Sequence, residues 1–154
     1  MGRVADTLWH MIRTVAIAAC AIALLAVAVP VASGGSQVVL GKKNIVRYGV
    51  GWGTAHPRLL FNGGDPNGRA FKLHWRDWGQ RVARAKGLTW IFTPHGGYYA
   101  KPGAIELRAY RIGHCTRGGP RAYTQLQARE AVKPGGRLGH WFHWGGWKSI
   151  CKGP

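Results

Sequence analysis

Between Arg69 and Arg76 apolar and polar positions alternate, with Phe71, Leu73 and Trp75 on one side and Lys72, His74 and Arg76 on the other. Successive side chains of an extended chain point to opposite faces, so this period of two predicts a half-buried strand. Asn44–Trp52 reads the same way, aligning Val46, Tyr48, Val50 and Trp52. Leu88, Trp90 and Phe92 alternate with Thr89, Ile91 and Thr93, and Ile105 and Leu107 oppose Glu106, Arg108 and Tyr110. Shorter strand candidates are Arg58–Phe61, Arg81–Ala85, Tyr123–Ala128 and Trp147–Cys151, although Tyr123–Val132 also fits one short helix. Turn chemistry separates these runs. Asn62–Gly68 contains Pro66, which fixes φ, and Gly68, which tolerates positive φ. Lys101-Pro102-Gly103, Arg117–Pro120 and Lys133–Gly136 are further turns or loops. Short strands with turns at such spacing predict an all-β domain, an antiparallel sandwich or barrel of about 7–9 strands.

A different pattern precedes this domain. Arg3 and Arg13 flank Asp6, and Val15 to Val29 is an unbroken apolar run closed by Pro30 and the small residues Ala32, Ser33 and Gly34. A basic start, a short apolar core and a small-residue site predict an N-terminal signal helix, residues 1–33, cleaved after Ser33 or, alternatively, after Ala28. An uncleaved signal anchor through residues 15–32 is the competing reading, although a span needs roughly 20 apolar residues. Ile17-Ala18-Ala19-Cys20 imitates a lipoprotein box, but the apolar run continues well past Cys20. The expected organisation is a leader followed by one secreted domain over residues 34–154.

Composition sharpens the picture of that domain. The chain has 22 Lys+Arg against 5 Asp+Glu, a net charge of +17 over 154 residues, and residues 34–154 alone carry +16. Such a domain attracts polyanions whatever its fold. Lys72 and Arg76 share the polar side of one predicted strand, Arg108 lies on that of another with Arg111 at its end, and Arg81 and Arg84 flank a third. These six residues are the expected polyanion-binding set. Arg outnumbers Lys by 12 to 8 in residues 34–154, which base composition alone also favours, so solubility is the competing reading of the charge. Of seven Trp in the same stretch, Trp52, Trp75 and Trp90 fall on apolar strand faces and are expected in the core. Trp141, Trp144 and Trp147 lie in a Gly-rich tail, where an indole can stack on a sugar or sit among lipid headgroups. Burial of that tail is the alternative. Cys115 and Cys151 form the one even pair beyond the leader and are expected to be bridged outside the cell.

Little in the chain supports catalysis. Four carboxylates remain beyond the leader, Asp65, Asp77, Glu106 and Glu130, and none neighbours another as a glycosidase pair would require. Asp65 reads as a turn former and Glu106 as a partner of Arg108. Ser36 and Ser149 lie outside any Gly-x-Ser-x-Gly elbow, and a bridged Cys115 has no thiolate to use beside His114. His140 and His143 share a face only on a helix, which Gly139, Gly145 and Gly146 disfavour, and no third zinc ligand is spaced to join them. Asn62, Asp65 and Asn67 hold too little charge for a calcium loop. No metal and no cofactor is expected.

One resemblance bears on this reading. The Asp65/Gly68 turn, Trp75-x-x-Trp78-Gly79, then Ala83, Ala85 and Gly87, a basic strand, Cys115 and Tyr123-Thr124-x-Leu126 form a series. It resembles that of small exported proteins of high-GC Gram-positive bacteria with no assigned function. The resemblance spans Pro57 to Leu126. Such relatives often carry extra cysteines where this chain has Pro94–Tyr99. It implies an exported β-rich domain and brings no catalytic or binding residue with it.

The sequence therefore predicts an exported, non-catalytic cationic domain at the cell envelope. Its expected partners are anionic wall polymers, polysaccharide or lipid headgroups, without specific nucleic-acid recognition. A bacteriocin-like toxin needs the same surface, and a small hydrolase requires two carboxylates or three histidines brought together by the fold.

Overall fold

A computed structural model describes residues 37–153, in which seven strands form one curled, mixed sheet. The strands are β1 (Val39–Leu40), β2 (Leu59–Phe61), β3 (Arg69–Arg76), β4 (Val82–Thr89), β5 (Gly103–His114), β6 (Arg121–Glu130) and β7 (Phe142–His143). Their order is β1-β6-β5-β4-β3-β2. β7 lies antiparallel to β6 near its end, through Gln127↔His143 and Ala128↔Phe142. β1 runs parallel to the start of β6, through Val39↔Ala122 and Leu40↔Tyr123. The expected antiparallel sandwich or barrel is met in its β-rich character, and takes the form of a half-barrel, a single curled sheet with one parallel edge. Alternation reports which face is buried but not the direction of pairing, and a parallel pair needs a long crossover, here the whole β2–β5 meander. The expected leader lies outside the described residues. Among the described residues no helix is long and apolar enough to cross a membrane.

The inner face alternates small side chains with Leu73, Ile105, Leu107 and Leu126, and large side chains pack over it. Ala83 and Ala85 of β4, Ala109 of β5, Ala70 of β3 and Ala128 of β6 are all buried. Over them pack Trp52, Trp144, Tyr123, Leu40, Leu60 and Ile150, with Trp75, Trp78 and Trp147 at the margin. The alanines between Leu73, Ile105, Leu107 and Leu126 leave room for the indoles. The buried indoles find acceptors, as burial demands. Trp52 donates to the Phe61 carbonyl at 3.0 Å, Trp75 to Pro57 at 2.8 Å and Trp78 to Val38 at 2.8 Å. The Tyr123 hydroxyl donates to the Gln80 carbonyl at 2.7 Å and accepts from the Gly79 N–H at 2.8 Å.

Several expected elements differ. In β3, Phe71 pairs with Leu88 and His74 with Lys86, so Lys72 and Leu73 together face Gly87. This bulge, with Lys72 at φ 53°, shifts the alternation by one. Ala70 and Leu73 face the core, and Phe71 turns outward with its neighbour Leu88. Gly87 is required there, since a Cβ would meet the Phe71 carbonyl oxygen and Leu73 Cδ2 at 2.7 Å each. Asn44–Trp52 is a looped segment rather than a strand, with Asn44 and Tyr48 left-handed and only Val50 bridged, to Phe61. Glycines at 49 and 51 interrupt the ladder that the apolar alternation suggested. Beyond β4, Thr89 and Ile91 are buried while Trp90 is half-exposed on the outer side, not in the core. The Thr89 hydroxyl reaches the Arg69 carbonyl at 2.9 Å, which permits its burial.

Tyr123–Val132, which also fitted a helix, supplies most of β6, and Trp147–Cys151 forms turns. Cys115 and Cys151 are bridged, as expected. The bridge ties the end of β5 to the C-terminal segment, where Ile150 is buried and donates its N–H to the Thr124 carbonyl at 2.9 Å. Residues Gly35–Pro154 form a compact unit with core, sheet and disulfide all internal to it, so this unit is able to fold by itself.

Candidate functional site

The outer face of β3–β6 carries two polar rows in strict cross-strand register. Arg76 stands opposite Arg84, Arg84 opposite Arg108, and Arg108 opposite Gln127. Next to it, His74, Lys86, Glu106 and Arg129 form the second row. Adjacent strands lie about 4.8 Å apart and same-face positions along a strand about 7 Å apart, so six basic residues share one small field. Like charges directly opposite each other destabilise a sheet. Three consecutive arginines in one row are therefore a cost to the fold.

Part of that cost is relieved locally. Arg108 donates through Nε to Gln127 Oε1 at 2.6 Å. Arg129 donates through Nη2 and Nε to Glu106 Oε2 at 2.6 and 3.0 Å, and Lys86 Nζ lies 3.6 Å from Glu106 Oε1. The hydrogen bond from Arg129, helped by the charges of Arg129 and Lys86, holds the Glu106 carboxyl below the usual carboxylate range against the opposing effect of burial. Trp141 offers its ring to both Arg108 and Arg129, whose guanidinium carbons lie 4.4 and 4.8 Å from its centre. Arg76 and Arg84 have no ion-pair partner among the described residues. A cleft of about 270 Å³ opens between them, walled by His74, Lys86, Arg129 and Trp141, with Asp77 and Glu106 as its two acids.

The expected polyanion set is thus divided. Arg76, Arg84 and Arg108 meet in one row, whereas Lys72 occupies the β3 bulge. Arg81 and Arg111 line a separate recess beside Val82 and Tyr110. The Trp tail divides too. Trp141 joins the basic face, but Trp144 is only 2% exposed and donates its Nε1–H to Asn62 Oδ1 at 2.9 Å. It belongs to the core. Trp147 is half-buried against Trp52, with ring centres 5.6 Å apart.

His74 lies on the polar side of β3 as expected, whereas Lys86, Arg129 and Gln127 join the face without having been expected there. The i, i+2 spacing of Arg84 and Lys86 was a signal for one of them. Arg129 was hidden because its segment also fitted a helix.

A second cleft, of about 340 Å³, lies at the Asn62–Gly68 turn. Asp65 and Glu130 both line it, beside Asn62, Asn67, Phe142 and Trp144. Burial pushes the Glu130 carboxyl above the usual carboxylate range. The six histidines among the described residues do not converge, and these residues contain no group of three His, Cys, Asp or Glu placed to hold a metal ion. No protein-family model, curated protein or solved structure matches the chain.

Proposed function

We propose that this chain is an exported, non-catalytic cationic domain that binds anionic polymers or anionic surfaces at the cell envelope. One observation carries the reading: Arg76, Arg84 and Arg108 stand directly opposite one another on three adjacent strands. Repulsion within such a row falls when an anion bridges its members, so the energy that the fold loses there returns as affinity. Glu106 and Trp141 orient the flanking Arg129 and Arg108, and the function calls for no cofactor.

Retention of residues 35–154 on an immobilised sulfated or phosphorylated polymer tests the reading. Binding is expected to weaken steeply as salt rises, since exposed charges are screened. The pair Arg76→Ser and Arg84→Ser should release the polymer at lower salt while leaving stability unchanged or improved by a few tenths of a kcal/mol. Salt-independent retention, or retention indifferent to both substitutions, counts against it.

A second reading rests on the other cleft. Asp65 and Glu130 share it, and the raised Glu130 carboxyl suits a proton donor in a small hydrolase. Glu130→Gln would abolish hydrolysis of a polysaccharide substrate on this reading. Equal inactivity of both proteins towards such substrates retires it.

A further inference from the structure

The outer face changes character along its length. Past Lys86, β4 presents Leu88 on the same side, opposite Phe71, and Phe71 in turn stands opposite Leu59. Trp90 follows, its ring centre 6.2 Å from that of Phe71. Phe92 and Tyr98 bridge through their backbones and stack with ring centres 4.5 Å apart. Phe61, Trp90 and Tyr98 line one recess of about 310 Å³ with Arg69, whose guanidinium carbon sits 5.0 Å from the centre of the Phe61 ring. Phe92 is 46% exposed. The face therefore runs from paired rows of cations to a ledge of partly exposed rings.

The ledge is built to stay in place. The turn behind Phe92 and Tyr98 is closed by Thr93 N–H to the Gly97 carbonyl at 3.0 Å, and by the Thr93 hydroxyl to Gly96 at 2.6 Å. Rings held ready in this way lose little freedom on contact with a partner. No carboxylate or side-chain amide lines the recess. A sugar polymer would need such groups for its hydroxyls. Trp90 and Tyr98, each with an apolar body and a polar tip, match the headgroup level of a bilayer instead, and the wholly apolar ring of Phe92 matches its apolar boundary. The cations alongside match the negative surface potential of a membrane containing anionic lipid.

We infer that the ledge docks this domain on an anionic phospholipid bilayer, with Phe92 and Tyr98 entering the headgroup layer and the arginine row lying against the charged surface. The docking draws its attraction from the polyanion reading above, but its aromatic contact is independent of that reading. Sedimentation of residues 35–154 with vesicles tests both parts. The vesicles are of zwitterionic lipid with and without about 30% anionic lipid, at about 0.1 M and about 0.5 M salt. The expected result is binding that requires anionic lipid and persists in part at high salt. The double variant Phe92→Ser with Tyr98→Ser should lose about tenfold or more of vesicle affinity at high salt while keeping its retention on a soluble polyanion. Phe92→Trp should retain vesicle binding, and an unchanged circular-dichroism spectrum establishes that each variant is folded. Wild-type affinity for vesicles in the double variant overturns the inference. So does vesicle binding that vanishes with salt as completely as polymer binding does. Either result leaves the arginine row to be judged by the polymer retention alone.

Discussion

At the scale of single residues, the two informative carboxylates face opposite environments. Glu106 is held ionised by Arg129 and Lys86, whereas Glu130 is pushed towards its neutral form by burial. The linkage to stability has opposite sign. A lowered native pKa makes Glu106 stabilising above its ordinary range, and that contribution disappears as pH falls through the native value. Glu106→Gln should therefore destabilise the domain at neutral pH and cease to matter in acid. A raised native pKa means that Glu130 contributes fully below its ordinary range, and loses that contribution as pH rises through its native value. Glu130→Gln should gain stability over wild type as pH approaches neutrality. Denaturant unfolding of both variants across acid and neutral pH measures the two trends. Glu106→Gln should also bind polyanions at least as tightly as wild type, because it removes one of the two acids in the cleft. Neither environment was legible in the sequence. Glu106 was expected to pair with Arg108, two positions along its own strand. Its partners stand instead on the neighbouring strands, at register positions only the fold assigns.

At the scale of elements, the β3 bulge decides which residues reach the functional face. Without it, the alternation would place Phe71, Leu73 and Trp75 together. With it, Phe71 joins the aromatic ledge while His74 and Arg76 remain in the basic rows. A one-residue change of register moves every following side chain to the other face. Deleting Lys72 leaves Leu73 alone opposite Gly87 and turns the bulge into a regular pair, so Phe71, His74 and Arg76 should keep their faces and polyanion retention should persist. Gly87→Ala is the milder test. A Cβ at 2.7 Å from the Phe71 oxygen requires backbone movement, and a loss of about 1–3 kcal/mol is expected by thermal or denaturant unfolding. Unchanged stability in Gly87→Ala would mean that β3 and β4 pair differently. The β3 and β5 segments were visible as alternating runs, β4 only in two separate candidates, Arg81–Ala85 and Leu88–Thr93, and β6 only as a short candidate that also fitted a helix. The bulge was not, because Lys72 already fits the polar phase of a simple strand.

At the scale of the molecule, the roof of the sheet depends on the C-terminal segment. Trp144, Trp147 and Ile150 pack on the core, and the Cys115–Cys151 bridge closes a loop of 36 residues that includes all three. Removing the bridge by reduction, or by replacing both cysteines with Ala, should cost about 4 kcal/mol on the chain-entropy account. Unfolding with and without reductant measures it. The outer basic face should be disturbed less than the core, since the β3–β4 and β4–β5 pairs lie outside the closed loop. Polyanion binding should therefore survive reduction wherever the domain remains folded.

The sequence by itself determined the β-rich character, the excess of positive charge and the bridged cysteine pair. Each follows from local alternation, from counting, or from an even pair of reactive groups. The tertiary structure decided the rest. It alone chose one curled, mixed sheet where a sandwich or a barrel was expected, because pairing direction and closure are long-range properties. It alone divided the six expected cations and the three expected tryptophans between face, recess and core. Alternation assigns a side chain to one of two sides, but a bulge, a left-handed residue or a cross-strand neighbour determines what stands beside it.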